Sequence, residues 1–423
     1  MFHVKHPYPE RHWQPALRTP RARIAPLQPM ISLQRYGHLF AQPDMGRAIA
    51  ASLIGRLPIG ISGLAILLAV QAREGSFIGA GLATSAYLAG LAGIAPVVGR
   101  LIDRLGPRPV LRAAGLAYPI VLIALVAALG QDLPFALILT LSFLAGATLP
   151  QVTTCMRTLY RRRLEDDTLL VAALSLDSAL IELVFIVGPM LVAFLVATAS
   201  PVLAVLFGAA CAAVGVLLMT RTAAMTNWPL EDDARRPLLG VLHDRALRRL
   251  LGVLFGYASV FGFVDIGIAT YAHEAGHPAI TGVILGIMSI GTAVGGLAYG
   301  SRTWHLPLDR QFWLSLVIMG VSIGPLALIS HPVVFSVAAL ASGLTMAPPL
   351  IVQSTMVAKR TPTSQMAEAF TWVTTAMLCG VGIGFAVGGA VAEARGSVAV
   401  LTLAAAVSVL MGGVARGALS RSH

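Results

Sequence analysis

Four charged residues stand inside stretches of sequence that are otherwise long and apolar: Arg56, Asp177, Glu182 and Asp265. A charge at the centre of a bilayer costs about 2.5–3.5 kcal/mol or more, so such side chains usually face a water-filled cavity or one another. A carboxylate that is removed from water loses the cost of its charge when it takes up a proton. These four residues are therefore our candidates for proton coupling or for contact with a polar substrate.

Two interpretations of these charges stay open. Asp177 and Glu182 are five residues apart, about 140° around a helix, so they cannot both point the same way. Glu182 and Asp265 are the strongest candidates for proton coupling or substrate contact. The alternative is a structural ion pair, for instance between Arg56 and Glu182, that only holds two helices together. Arg56 favours an anionic solute and the carboxylates a cationic one, so the charges do not identify the substrate.

The apolar stretches that carry these residues extend along most of the chain. Of its 423 residues, 57% are hydrophobic and 12% are charged, whereas soluble domains carry about 25% charged residues. A helix that spans a membrane needs about 20 mostly apolar residues. The sequence predicts an all-α integral membrane protein with twelve transmembrane helices, at 46–70, 77–99, 109–130, 134–157, 168–197, 201–220, 248–271, 278–300, 311–330, 332–356, 365–392 and 396–417.

The basic residues are distributed unevenly about these spans. If the N-terminus is cytoplasmic, 27 of the 30 Lys and Arg residues fall at the cytoplasmic face, and only Arg73 and Arg395 fall at the outer face. Cytoplasmic loops carry such an excess. We therefore expect a multi-pass protein of the cell (inner) membrane with both termini cytoplasmic. The same asymmetry accounts for the formal net charge of +11, so no nucleic-acid partner is expected.

The spans divide into two sets of six. The predicted segments are a basic, disordered tail at 1–45, a six-helix bundle at 46–220, a polar cytoplasmic loop at 221–247, a second six-helix bundle at 248–417 and a short tail at 418–423. Part of the first tail is untranslated if Met30 or Met45 is the start site. The tail is basic, contains proline and has no apolar core of the signal-peptide type, so no signal peptide is expected.

A weak internal repeat supports the division into halves. Gly146-x-Thr148 in the fourth span matches Gly343-x-Thr345 in the tenth at an offset of 197 residues. The same offset places Gly99 on Gly296. Repeats of this kind predict two pseudo-symmetric bundles.

The connector between the second and third spans carries the most specific motif, with Gly99, Asp103, Arg104, Gly106 and Arg108 in the sequence GRLIDRLGPR. It resembles the G-x-L-x-D-R-x-G-R signature of the major facilitator superfamily, and it lies in the connector where that family has it. The resemblance covers 46–417. It implies two six-helix bundles around a central cavity that opens alternately to either side. At an offset of 197 the second half has a glycine where the first has Asp103.

The resemblance implies that Asp103 helps to latch the two halves in the outward-open state. The eleventh span begins near 365 on the same side, and a carboxylate beside the positive end of a helix is stabilised by about 0.3–1 kcal/mol. Arg104, Arg108 and Arg157 are candidate partners in this gate. The alternative is that the arginines only enforce orientation.

Two groups of small residues are assigned to helix packing. Gly188-Pro189 in the fifth span resembles the core of a motif found in drug/proton antiporters of the same family, although its flanking glycines are missing. Gly380, Gly384 and Gly388 repeat every four residues in the eleventh span, and such spacing lets helices approach closely. We interpret them as packing residues of a monomer, with a dimer interface as the alternative.

These features predict a secondary transporter of a small solute, with proton-coupled export by a drug-efflux-like member as the first interpretation. Proton-coupled uptake or facilitative uniport are the alternatives, followed by a non-transporting membrane sensor. No G-x-x-x-x-G-K-[ST] motif for nucleotide occurs in the sequence. The 10 His residues are scattered over the tail and loops, so no enzyme, metal site or cofactor is predicted. The expected partners are the solute, protons and the lipid bilayer.

Overall fold

The structure is a computed structural model that describes residues 33–131, 133–164, 166–225, 245–302, 304–361 and 366–419. Helices and short connections make up these ranges, as the all-α prediction requires. The α-helices are α1 (Leu33–Ala41), α2 (Met45–Glu74), α3 (Phe77–Leu105), α4 (Pro107–Gly130), α5 (Phe135–Thr148), α6 (Val152–Arg163), α7 (Asp167–Thr198), α8 (Pro201–Thr220), α9 (Arg245–Glu274), α10 (Ile280–Gly300), α11 (Leu308–Ile323), α12 (Pro332–Arg360) and α13 (Met366–Leu419).

Eleven helical stretches in the described residues are long and apolar enough to cross a membrane. They form twelve spans, because one stretch crosses the membrane twice. The last stretch, in α13, holds two spans, because its 54 residues would measure about 80 Å as one helix against a hydrocarbon core of about 30 Å. Gly396 divides it, with φ 75° and ψ −175°, a conformation that favours glycine. Helices α5 and α6 form a single span that is interrupted beside Pro150.

Helices α3 and α5 pack closely through two glycines in the first half. A Cβ atom on Gly90 would lie 1.9 Å from the carbonyl oxygen of Phe143, and one on Gly146 would lie 1.7 Å from that of Tyr87. Only glycine permits backbones to approach in this way.

The second half repeats this contact between α10 and α12. A Cβ atom on Gly291 would lie 2.2 Å from the carbonyl oxygen of Leu340, and one on Gly343 would lie 2.1 Å from that of Met288. The matched contacts support the internal repeat. The offset is 197 residues between α5 and α12, as predicted, but 201 residues between α3 and α10.

This second offset corrects one alignment made from the sequence. The residue equivalent to Gly99 is Gly300, the last residue of α10, and not Gly296. Trp304 then takes the place of Asp103 in the second half. The error arose because the connection between the α3-like and α5-like helices is four residues shorter in the second half, and a single offset cannot represent that.

The two faces of the bundle differ in charge. We call the basic face the one at which α3, α6 and α12 end, with Arg104, Arg163 and Arg360 in their last turns. We call the opposite face the one at which α2 ends at Glu74 and α3 begins at Phe77.

The segments outside the spans are only partly described. Most of the predicted tail, including Met30, and residues 226–244 of the predicted central loop lie outside the described residues, as do residues 420–423. Helix α1 lies within the tail that was predicted to be disordered, and it packs against α7. It is ordered there because Leu39 is fully buried in the packed core near the basic face.

Candidate functional site

The charged residues of the first half meet in one cluster. An ion pair joins Nη2 of Arg56 in α2 to Oδ1 of Asp177 in α7, and neither side chain is exposed. The second carboxylate oxygen of Asp177 accepts a hydrogen bond from Nε of Arg157 in α6 at 2.8 Å. The side chain of Arg157 is 47% exposed, so the cluster extends from the buried core towards the solvent-accessible side of α6. Two guanidinium groups share one carboxylate.

The structural ion pair that the sequence suggested therefore exists with a different acid. Arg56 pairs with Asp177 and not with Glu182. Two further atoms of Arg56, Nε and Nη1, are buried and have no hydrogen-bond partner among the described residues, and the same holds for the hydroxyl of Tyr160. Asp177 is thus the counter-charge that the structure provides for Arg56.

Glu182 lies on the side of α7 that faces the second half. Gly286 of α10 packs against Ile186, whose carbonyl oxygen would lie 3.3 Å from a Cβ atom on that glycine. Glu182 precedes Ile186 by four residues and so occupies nearly the same side of α7, about one turn closer to the basic face. Glu182 is exposed and has no partner among the described residues. Its carboxylate is therefore unpaired on this side of α7.

Asp265 is the corresponding unpaired acid of the second half. It lies in α9, nine residues before the helix ends at Glu274. Asp265 is therefore about 14 Å along the helix from the opposite face. It is partly exposed and has no partner among the described residues. The neighbouring Gly262 packs against α13, and Gly267 packs against Leu401 on another side of α9.

The connector motif is described in part. Gly106 joins α3 to α4 with φ 81° and ψ 164°, a conformation that favours glycine, and Pro107 follows as the first residue of α4. Arg104 is exposed, and Nε of Arg108 is buried without a partner among the described residues. The side chain of Asp103 is not among those described, so its latch contact stays a prediction.

The other predicted motif residues take up different positions. Gly99 lies in open space near the end of α3. A Cβ atom on Gly188 would lie 2.7 Å from the backbone of Gly60, so this glycine brings α7 against α2. Pro189 follows it inside α7.

The repeated glycines of α13 face α9 within the same bundle. A Cβ atom on Gly380 would lie 2.2 Å from the carbonyl oxygen of Phe255, and one on Gly384 would lie 2.1 Å from that of Ser259. Gly388 is in contact with Phe263. The three glycines therefore lie in the interior of the second bundle.

A polar contact joins the two halves at the opposite face. The carboxylate of Glu393 in α13 accepts hydrogen bonds from the hydroxyl of Ser76 and, at 3.1 Å, from the backbone N–H of Ile78. Ser76 is the N-cap of α3 and accepts from the N–H of Gly79 at 3.2 Å. Glu393 therefore sits at the positive end of α3, where a negative charge is stabilised.

Further contacts join the halves close by. Nε2 of Gln71 lies 3.4 Å from Nδ1 of His273, and the ring of Phe77 meets that of His273 edge to face, with centroids 5.6 Å apart. Deeper in the membrane, the hydroxyl of Ser85 donates to the carbonyl oxygen of Gly382. We call the contacts of α3 with α13 and of α7 with α10 near the opposite face the seam.

At the seam the helix backbones of the two halves are in direct contact. A Cβ atom on Gly81 would lie 2.3 Å from the carbonyl oxygen of Phe385, and one on Gly282 would lie 2.1 Å from that of Pro189. The sequence did not predict the seam residues, because Ser76 and Glu393 look like the polar residues that commonly end a transmembrane helix. The one available signal was the stretch of small residues in α3 and α13.

A family comparison agrees with this architecture. The protein-family model of the Major Facilitator Superfamily matches residues 48–332. The chain belongs to this superfamily. The match covers nearly all of the first bundle and about half of the second, through α11, and it agrees with the resemblance that the connector motif suggested. A comparison with curated protein sequences gave no match.

Solved structures of transporters share the fold. A point mutant of the nucleoside transporter NupG has a TM-score of 0.68 at 16% identity over 88% of this chain and 99% of its own. A bacterial homologue of the iron transporter ferroportin, in an inward-facing state, has a TM-score of 0.71 at 14% identity over 89% and 98%. The human organic anion transporter MFSD10 (TETRAN) has a TM-score of 0.59 at 18% identity over 88% and 100%. As a member of the superfamily, the chain is a multi-pass membrane transporter.

Proposed function

We propose that this transporter exports a small solute in exchange for protons, by alternating access between its two halves. The observation that carries the proposal is the pair of unpaired acids, Glu182 in the first half and Asp265 in the second, which both lie inside membrane spans. A charged carboxylate without a cation is costly there. Binding a proton removes that cost, so the state of each acid is coupled to the protons on the side to which the cleft opens.

The positions of the contacts supply the second part of the proposal. We take the basic face as cytoplasmic, in accordance with the excess of Lys and Arg, and place both termini there. On that assignment the seam closes the outer side, and we infer an inward-open state. Glu182 lies one turn below the seam, on the open side. Rocking of the halves about the seam would transfer it to the other side.

The buried cluster has a structural part in this scheme. Asp177 is held by Arg56 and Arg157, whereas Glu182 and Asp265 have no partner among the described residues. The cluster ties α2, α6 and α7 into one rigid unit. Asp103 remains our proposed latch for the opposite state, in which α3 and the start of α13 meet at the basic face.

The direction of transport rests on a weaker observation. Gly188-Pro189 resembles the core of an antiporter motif, which favours export, and uptake symport or uniport are the alternatives. The similar structures are named as transporters of nucleosides, organic anions and iron. Those three classes, together with lipophilic cations, form a rational first panel of solutes. We propose a functional monomer, since the glycines of α13 are used within the chain.

Proteoliposomes with a pH-sensitive dye inside test this function. Each solute of the panel is added outside, and both solute entry and internal pH are followed, with protein-free liposomes as the control. A rise of internal pH as the solute enters supports proton exchange, whereas a fall would indicate symport. Solute movement without any pH change would make the protein a uniporter, and no movement of any solute, with the protein folded and inserted, would favour a sensor.

A further inference from the structure

The two spans of α13 enclose a groove on the surface of the second bundle. It has a volume of about 800 Å³ and lies between the segments before and after Gly396. Small apolar side chains form its walls, with Ala386, Ala390 and Ala394 on one segment and Ala399 and Ala406 on the other. Gly388 and Gly389 pack against α9 and α3, and the exposed Ala390 and Ala394 lie on the other side of the helix, so the groove opens outward.

One charged side chain, Arg395, lines the groove, at its end by the opposite face. Arg395 is exposed and makes no ion pair or hydrogen bond with any described residue. The only other polar residue in the lining, Thr402, donates its hydroxyl to the carbonyl oxygen of Val398 at 2.7 Å. The groove therefore offers an apolar channel with a single unpaired cation at its mouth.

The length of the groove matches one leaflet of the bilayer. Ala386 and Arg395 are nine residues apart on a helix, which corresponds to about 14 Å. Half of the hydrocarbon core of a bilayer is about 15 Å. Acyl chains that lie in the groove would therefore end near Ala386, and their phosphate would lie at the level of Arg395.

We propose that this groove binds one phospholipid of the leaflet at the opposite face, with its phosphodiester on Arg395 and an acyl chain between the two spans of α13. Guanidinium groups bind phosphate through paired N–H donors. The phosphodiester would supply the counter-charge that Arg395 lacks among the described residues.

A second copy of the chain fits the groove less well, because the described glutamates near this face are already engaged and leave none for Arg395. On the opposite face Glu74 pairs with Arg73 at 2.9 Å, and Glu274 accepts from the N–H of Ser397 at 2.9 Å. Glu393 is engaged in the seam. Among the described residues near this face, each glutamate is thus already in use, whereas a phospholipid brings its own negative charge.

Binding of phosphatidylglycerol to the purified, delipidated protein tests the proposal, with native mass spectrometry to count bound lipids and the rise of Tm on adding lipid to follow affinity. We expect one tightly bound lipid on the wild type. Arg395→Gln should weaken its apparent affinity about tenfold, the loss of one charge-assisted contact, and Arg395→Lys should restore most of it. Arg73→Gln, on the same face but paired with Glu74, is the matched control and should bind as the wild type does.

A second variant tests the apolar part. Ala390→Phe should fill the groove and abolish binding while the Tm without lipid stays that of the wild type. The proposal is overturned if Arg395→Gln retains phosphatidylglycerol as tightly as the wild type. It is also overturned if diacylglycerol, which lacks the phosphate, binds equally well, or if the wild type forms a dimer that Ala390→Phe dissociates.

Discussion

Arg56 and Asp177 form an ion pair between the first and fifth spans in which neither side chain reaches the surface. Two charges buried together cost desolvation that their attraction only partly offsets, but the loss of one partner leaves the other uncompensated. Arg157 contacts the second oxygen of the same carboxylate. Asp177 is therefore the centre of the cluster, and its removal affects both arginines.

Asp177→Asn should destabilise the folded protein by about 3–5 kcal/mol, because Arg56 then remains buried without a counter-charge. Chemical denaturation in detergent measures this change. The double variant Arg56→Leu/Asp177→Leu should be far more stable than either single variant, since it removes both charges. Glu182→Gln is the control and should leave stability nearly unchanged. Equal stability of Asp177→Asn and the wild type would contradict a structural role for the pair.

Two distances between spin labels report which face is open. At the basic face the exposed Arg100 and Lys359, one in each half, are replaced with labelled cysteines. At the opposite face Gln131 and His331 serve in the same way. In a background without the native cysteines, opening of the seam should lengthen the second distance and shorten the first.

Gly81→Ala should shift the population towards the state with an open seam, by about fivefold or more, because overpacking costs typically 1–3 kcal/mol. The added Cβ atom would lie 2.3 Å from the carbonyl oxygen of Phe385 in the other half. Gly93→Ala, in the same helix but in open space, is the matched control and should change neither distance. If both variants keep the distances of the wild type, the seam does not govern the equilibrium.

Glu393→Ala should open the seam less strongly, by a few-fold, because the lost hydrogen bonds lie at an exposed site where water screens them. Ser76→Ala should act in the same direction, since it removes the donor to Glu393 and the N-cap of α3 together. The double variant Ser76→Ala/Glu393→Ala should open the seam little more than Glu393→Ala alone, because both substitutions break the same contact. Additive effects of the two substitutions would indicate that they act at separate contacts.

Asp103→Asn should reduce transport by about two- to tenfold while expression stays intact, because it removes the charge that we assign to the positive end of α13. The initial rate of solute flux measures this effect. Asp309→Asn, which breaks the ion pair with Arg360 within the second half, is the control at the same face. Unchanged transport in Asp103→Asn would rule out the latch.

The spans could be predicted from the sequence because a membrane imposes a length of about 20 apolar residues on each helix. The interruption between α5 and α6 was not predicted, since Pro150 lies within the predicted span 134–157 and its effect on the backbone depends on the surrounding helices. The division of α13 at Gly396 was predicted, since Glu393 and Arg395 interrupt the apolar run there.

The pairing of charges could be predicted only in part. Arg56 lies about 16 Å along α2 from its start at the basic face, and Asp177 lies about 15 Å along α7, so the two meet at the same depth. Glu182 is about 8 Å further along α7 than Asp177 and lies on another side of that helix. Helices α2 and α7 also approach closely at Gly60 and Gly188, and a sequence does not reveal which helices will be neighbours. Contacts such as Ser76 with Glu393 join residues 317 positions apart and carry no local pattern.

Solute flux in proteoliposomes with an imposed pH gradient tests the central claim, proton coupling through the unpaired acids, most directly. The wild type should transport a solute of the panel faster with the gradient than without it. Glu182→Gln and Asp265→Asn, which cannot release a proton, should lose most of that acceleration while they still exchange solute across the membrane. Equal flux with and without the gradient in all three proteins would contradict the account.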